Sequence, residues 1–231
     1  MPPGARAAVL RELFALWLVT LLLIRGVLAL QEGLGLPDWG RAAVPLLFMY
    51  APVLLCRLRG ADSWAYRLSI PAFSDRAAWR EVLGLNARVV AVVALPFFVG
   101  YHLYQTILFG KHPGHGWPRD PALEVAHHLF FVAVPEEFFY RGYFLTRLNE
   151  VFSRRWMILG VPMGPSALIA GLFFAFGHSV VTFQWWHFAT FFPGLAFAWM
   201  RERTGGVMAG ALFHAICNVS VVFLDHAYGL R

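Results

Sequence analysis

Two adjacent glutamates and an arginine lie in an apolar segment of membrane-spanning length, at residues 133–144 (AVPEEFFYRGYF). An ionised carboxylate in hydrocarbon costs at least about 2.5–3.5 kcal/mol, so each of these charges needs a partner. Glu137 and Arg141 are four residues apart and can pair on one face of a helix. Glu136 lies about 100° further round the helix, and no residue of the segment is placed to pair with it. The sequence therefore predicts that side chains from other helices surround Glu136.

The composition indicates an integral membrane protein. Hydrophobic residues make up 59% of the 231 residues and charged residues only 14%, against roughly 25% charged residues in an average soluble domain. A soluble fold with this composition would have too few polar residues to cover its surface. The two cysteines, Cys56 and Cys217, lie in apolar runs and are too few for a disulfide framework or a zinc cluster.

The apolar segments predict an all-α fold, a polytopic helical bundle of about seven transmembrane helices. A span needs about 20 apolar residues. The candidates are 12–30, 42–56, 88–109, 123–146, 160–180, 184–200 and 206–225. An eighth span requires a half-helix hidden in the loop 57–87. Within that loop, residues 75–85 (DRAAWREVLGL) have the pattern of a short interfacial amphipathic helix.

The distribution of basic residues predicts the orientation. If each segment crosses the membrane, successive loops lie on alternate sides, and 13 basic residues fall on one side and four on the other. Because basic residues favour the cytoplasmic side, we expect a cytoplasmic N-terminus and a C-terminus outside. This bias also explains the net charge of +6 without a nucleic-acid partner. Almost all basic residues are arginine, which suggests a GC-rich bacterial genome and hence the bacterial cytoplasmic membrane.

Two histidines are candidate partners for Glu136. His178 follows Phe174 by four residues and His214 precedes Asn218 by four, so each pair shares a helix face. Both lie in spans, where a polar side chain normally turns inward. Counted from the predicted helix ends, Glu136, His178 and Asn218 lie about 18–20 Å deep and His214 about 12 Å deep. The sequence therefore predicts one polar layer built from three helices.

A carboxylate, two imidazoles and an amide in a partly dry pocket suit hydrolysis by activated water. The glutamate can act as general base, and a nearby histidine can hold the water. An amide or a second imidazole can donate to a developing oxyanion. No serine or cysteine is paired with a base, so a covalent nucleophile is not needed.

These motifs resemble those of the CPBP superfamily, which includes CAAX prenyl endopeptidases and bacteriocin-processing or Abi proteins. The family pattern is EExxxR, then FxxxH, then HxxxN. Here it occurs as Glu136-Glu137 with Arg141, Phe174 with His178, and His214 with Asn218, in that order. The resemblance covers about Glu124–Asp225, whereas the three N-terminal spans match only as generic membrane helices. We therefore expect one membrane domain, 1–231, with N-terminal spans and an interfacial segment in 1–121 and catalytic core spans in 122–225.

The resemblance implies a glutamate-dependent intramembrane endopeptidase that requires no metal or other cofactor. It implies Glu136 as the base, His178 positioning the water, and His214 with Asn218 stabilising the oxyanion. Glu137 and Arg141, with Phe174, would then be supporting residues. The implied partners are the lipid bilayer and a protein or peptide substrate. Eukaryotic relatives cut prenylated C-terminal tails, but a bacterium generally lacks that modification. We therefore expect maturation of a peptide precursor, or removal of a C-terminal membrane anchor such as a sorting tail.

Two alternative functions are compatible with the same residues. Glu136, His178 and His214 could ligate Zn²⁺ in a membrane metalloprotease, since catalytic zinc favours three protein ligands plus water, although HExxH is absent. Alternatively, the buried polar groups could serve helix packing in a non-catalytic membrane scaffold or immunity protein.

Overall fold

The computed structural model describes residues 2–35, 42–66, 71–182 and 185–230. Over these residues the chain forms seven helices and one small β-hairpin. The helices are α1 (Pro3–Leu34), α2 (Ala43–Leu58), α3 (Arg76–Leu108), α4 (121–151), α5 (Pro165–Thr182), α6 (Phe191–Thr204) and α7 (Met208–Ala227). The antiparallel hairpin pairs β1 (Trp156–Ile158) with β2 (Val161–Met163). Two short 3₁₀ turns lie at Ser63–Tyr66 and Trp185–Thr190.

Among the described residues, the helices α1, α3 and α7 are long and apolar enough to cross a membrane, and α2 and α5 are shorter apolar helices. The chain is therefore a predominantly helical protein with the properties of an integral membrane protein. The predicted number of seven spans stays a prediction. The hairpin between α4 and α5 corrects the strictly all-α expectation. It forms because the turn Leu159–Gly160 has two residues at positive φ, 49° and 76°, as a tight two-residue hairpin requires.

The predicted interfacial helix 75–85 is wrong as a separate element. These residues are the beginning of α3, which continues into the third predicted span. Asp75 begins the helix because its carboxylate accepts a hydrogen bond from the Ala78 amide at 3.0 Å. No proline follows until Pro96, so nothing stops the helix at the predicted boundary. The described part of the loop 57–75 contains one 3₁₀ turn and no half-helix.

Helix α4 contains two stretches of wider, π-helical turns, His127–Ala133 and Phe138–Phe144. Between them lies Val134–Glu137, which carries the two adjacent glutamates. Pro135 cannot donate a backbone hydrogen bond, and its ring crowds the preceding turn, so regular α-helical bonding is disturbed here. Such π-helical segments occur frequently at functional sites.

The core is an aromatic cluster in which α4 packs against α1, α2 and α5. Phe139, Tyr140, Tyr143 and Phe144 of α4 are all buried. The Phe48 ring of α2 lies 5.3 Å from the Phe139 ring. Trp17 of α1 donates its indole N–H to the Phe173 carbonyl of α5 at 3.1 Å. These contacts fix the position of α4, and with it the position of Glu136.

Polar contacts join the helices on either side of this core. In one group, Glu12 of α1 accepts hydrogen bonds from the Tyr143 hydroxyl at 2.9 Å and the Arg59 guanidinium at 3.1 Å. In another group, Tyr101 of α3 donates to Asp225 of α7 at 2.8 Å. The hydrogen bond between Tyr101 and Asp225 holds α3 against α7, which carries His214.

Candidate active site

The structure brings Glu136, His178 and His214 together from α4, α5 and α7. Oε2 of Glu136 lies 3.6 Å from Nε2 of His178 and 3.8 Å from Nε2 of His214. The Glu136 side chain is 12% exposed, and its Oε2 makes no hydrogen bond with any described residue. Polar groups that face each other beyond 3.5 Å are commonly bridged by water.

Both imidazole rings are held by their other nitrogen. Nδ1 of His178 lies 3.0 Å from the Phe174 carbonyl oxygen, and Nδ1 of His214 lies 3.2 Å from Oε1 of Glu137. A carbonyl or carboxylate oxygen only accepts, so each Nδ1 must carry a proton and donate it. In the neutral rings, Nε2 is therefore the unprotonated nitrogen. Two imidazole lone pairs and a carboxylate oxygen thus face one small space, which suits a water molecule that donates to two of them.

Glu137 forms the predicted ion pair with Arg141, at 2.9 Å, with side chains 0% and 1% exposed. The guanidinium also donates to the Gly194 carbonyl at 3.1 Å. Its central carbon lies 4.2 Å from the centre of the Phe174 ring, within the range of a cation–π contact. Phe174 therefore packs on the ion pair, while its backbone carbonyl orients His178.

The contact between Glu137 and His214 was not predicted from the sequence, in which the spacing of Glu137 pairs it only with Arg141. One carboxylate that serves both an arginine and a histidine links the buried ion pair to the Glu136 cluster. This contact could have been predicted because Glu137 is next to Glu136 and therefore lies in the same polar layer of the membrane as His214. A carboxylate that fixes the tautomer of a functional histidine is a common arrangement.

Asn218 forms no hydrogen bond with Glu136, His178 or His214. It lies one turn after His214 on α7 and is half-buried, and its amide forms no hydrogen bond with another described residue. Its role therefore stays a prediction. His128, on the half of α4 before Glu136, lies 3.7 Å from Glu124, away from the cluster.

A comparison with protein families found a match to the part of the chain that contains Glu136, His178 and His214. Residues 118–220 match the family model described as type II CAAX prenyl endopeptidase Rce1-like. This segment is similar to the Rce1-like family. The match contains all three motifs and confirms the resemblance to the CPBP superfamily. A search of curated proteins and a search of solved structures each found no match.

The Rce1-like match indicates a protease, which favours peptide hydrolysis over the scaffold alternative. It begins near the start of α4 and ends within α7, so α1–α3 lie outside it. No group of three or more His, Cys, Asp or Glu side chains in the described part of the chain is arranged to hold a metal ion. The zinc alternative therefore gains no support from the arrangement of Glu136, His178 and His214.

Glycines allow close approach around the ion pair of the Rce1-like segment. A Cβ on Gly210 of α7 would lie 3.1 Å from Oε2 of Glu137 and 3.3 Å from the Phe197 carbonyl oxygen. A Cβ on Gly194 would lie 3.1 Å from the Arg141 guanidinium. Neither charged group can move freely, because each is buried and held by the other. The sequence therefore needs very small residues at these two positions.

We expect Gly210→Ala to lower the free energy of unfolding by about 1–3 kcal/mol, the usual cost of overpacking a core. It should also reduce peptidase activity, because the displaced Glu137 no longer orients His214. Denaturant titration and a peptide-cleavage assay measure the two effects. Gly100→Ala in α3 is the control, since a Cβ there meets nothing within 4 Å. Unchanged stability in Gly210→Ala would contradict the close packing at Glu137.

Proposed function

We propose that this chain is an intramembrane endopeptidase in which Glu136 activates a water molecule to cleave a peptide bond near or within the membrane. The observation that carries the proposal is the placement of Glu136 Oε2 opposite the Nε2 atoms of His178 and His214, with both Nδ1 atoms engaged elsewhere. A water molecule among these atoms can donate one proton to Glu136 and be oriented by His178. The Rce1-like match of residues 118–220 supports the same reaction class.

The charges of the buried cluster favour a single mobile proton. Arg141 is positive and Glu137 negative, so this pair is neutral. Glu136, Glu137, Arg141 and His214 together are neutral if one further proton is bound to Glu136 or to His214. Without that proton these four side chains carry one negative charge in a low-dielectric site, which is costly. We infer that this proton is held by one of the two side chains.

The reaction then follows from these positions. Glu136 takes a proton from water, and the water oxygen attacks the carbonyl carbon of the scissile bond. The tetrahedral oxyanion accepts hydrogen bonds from His214, with Nε2 protonated, and from the Asn218 amide. Glu136 next gives its proton to the leaving amine as the C–N bond breaks, which releases an amine and a carboxylic acid. Glu137 stabilises the His214 imidazolium, as a carboxylate does in other histidine-dependent hydrolases.

The substrate class we propose is a peptide or protein segment held at the membrane, cut in a C-terminal tail or in a peptide precursor. A membrane anchor or sorting tail fits a site built into a helical bundle. We place the chain in the bacterial cytoplasmic membrane because almost all of its basic residues are arginine. The apolar segments favour about seven spans, and the N-terminus is placed in the cytoplasm because basic residues concentrate on one set of loops.

Comparing cells that carry the wild-type chain with cells that carry Glu136→Ala tests this function. We expect the variant cells to accumulate a small set of membrane or secreted proteins with uncut termini, found by mass spectrometry of terminal peptides. Glu124→Ala is the matched control, because Glu124 lies on the same helix but pairs with His128 outside the cluster. If no protein changes length in the Glu136→Ala cells, the protease proposal fails.

A further inference from the structure

A long apolar groove lies between α3, the hairpin, α5 and α6. Its volume is about 820 Å³, within the roughly 300–1,000 Å³ range of small-molecule sites. Its walls are almost entirely apolar and include Val92 of α3, Leu168 of α5 and Trp199 of α6. Neither Glu136, His178, His214 nor Asn218 lines it, so it is distinct from the candidate active site.

The hairpin that forms one wall exposes apolar side chains. Met157 is 70% exposed and Leu159, at the tip, is 83% exposed. The Trp199 indole donates to the Ile158 carbonyl at 2.9 Å, which fixes the hairpin to α6. A hairpin in water would normally carry polar residues at its turn. An exposed apolar tip indicates contact with the hydrocarbon or interface of the bilayer.

A small polar cavity of about 80 Å³ adjoins the groove. Three arginines and one glutamate line it, together with two uncharged residues of α3; the charged residues are Arg80, Glu81, Arg88 and Arg203. Arg88 and Arg203 also line the groove, so the two spaces share one mouth. Both side chains belong to exposed residues, and neither forms an ion pair with another described residue. The mouth therefore carries excess positive charge next to an apolar channel.

We propose that this groove binds an anionic phospholipid, with an acyl chain between α3 and α6 and the phosphate between Arg88 and Arg203. Apolar walls match the chain, and guanidinium groups bind phosphate by paired, charge-assisted hydrogen bonds. A zwitterionic headgroup has no net charge to match the mouth. The lipid fastens α3, which lies outside the Rce1-like segment, to α5 and α6, which lie inside it.

Native mass spectrometry of the full chain tests this proposal without reference to peptidase activity. The protein is reconstituted in bilayers of equal parts phosphatidylglycerol and phosphatidylcholine, and the lipids that remain bound are identified. We expect the wild-type protein to retain phosphatidylglycerol in preference to phosphatidylcholine. Arg88→Gln/Arg203→Gln should reduce that preference about tenfold or more, because each arginine near a membrane surface contributes substantially to anionic lipid binding.

Arg76→Gln is the matched control, since Arg76 begins α3, is exposed and lines neither cavity. It should behave as wild type. Ala196→Phe places a ring in the groove itself and should reduce retention of the lipid without changing the arginines. The proposal is overturned if wild type retains the two lipids equally. It is also overturned if the double arginine variant keeps the wild-type preference, or if Ala196→Phe retains the lipid as wild type does.

Discussion

Glu136→Gln is expected to lower kcat for peptide hydrolysis by about 10²- to 10⁴-fold, the usual contribution of a general base. Glutamine has nearly the same shape as glutamate but cannot accept a proton from water. His178 would still orient the water and His214 would still face the oxyanion, so KM should change little. The measurement is steady-state kinetics of the purified protein in a bilayer mimic, with a peptide identified from the uncut tails.

Two controls separate this chemical effect from damage to the fold. Glu124→Gln, on the same helix, should keep wild-type kinetics. Glu136→Gln itself should be at least as stable as wild type, because a buried carboxylate with no hydrogen bond from a described residue has been replaced by a neutral amide. A Glu136→Gln protein that retains wild-type kcat would show that another group activates the water.

Arg141→Met is expected to lower the free energy of unfolding by about 3–5 kcal/mol, because it leaves the Glu137 carboxylate buried without its main partner. Arg141 and Glu137 are essentially inaccessible to solvent, and their distance is 2.9 Å. The measurement is the unfolding transition in a denaturing detergent titration. Arg119→Gln, at an exposed position, is the control and should leave the transition unchanged.

The double variant Glu137→Gln/Arg141→Met separates the loss of one charge from the loss of the pair. It removes both charges, so we expect it to recover much of the stability lost in Arg141→Met. It should nevertheless remain poorly active, because His214 has lost the carboxylate that orients it. If the double variant is as unstable as Arg141→Met, the uncompensated charge is not the cause of the destabilisation.

Most of the helical architecture followed from apolar segment lengths. The predicted spans 12–30, 42–56 and 206–225 lie within or overlap α1, α2 and α7, because a run of about 20 apolar residues has few alternatives to a helix. The prediction of a separate helix at 75–85 was wrong because no proline or glycine turn ends the helix there. The start of α3 was mistaken for a separate helix, since amphipathic residues and a following apolar run can form one continuous helix. The hairpin after α4 was missed, since its two strands are three residues each.

In the candidate site, contacts within one helix could be predicted from the sequence, and contacts between helices could not. Spacing within one helix is local, so the Glu137–Arg141 pair and the shared faces of Phe174 with His178 and of His214 with Asn218 could be predicted from 3.6 residues per turn. Which ring nitrogen faces Glu136 could not be predicted, because it depends on how α5 and α7 are rotated against α4. The contact from Glu137 to His214 depends on that rotation too, as does the position of Asn218.

By itself, the sequence determined that the chain is a membrane helical protein with one carboxylate needing partners from other helices, because charge in hydrocarbon is too costly to leave unmatched. It also contained the motifs of the Rce1-like segment. Only the tertiary structure decided that both imidazoles turn Nε2 toward Glu136, that Glu137 serves two partners, and that an apolar groove ends at Arg88 and Arg203. Each of these depends on the packing of helices that are distant in sequence, which local periodicity does not specify.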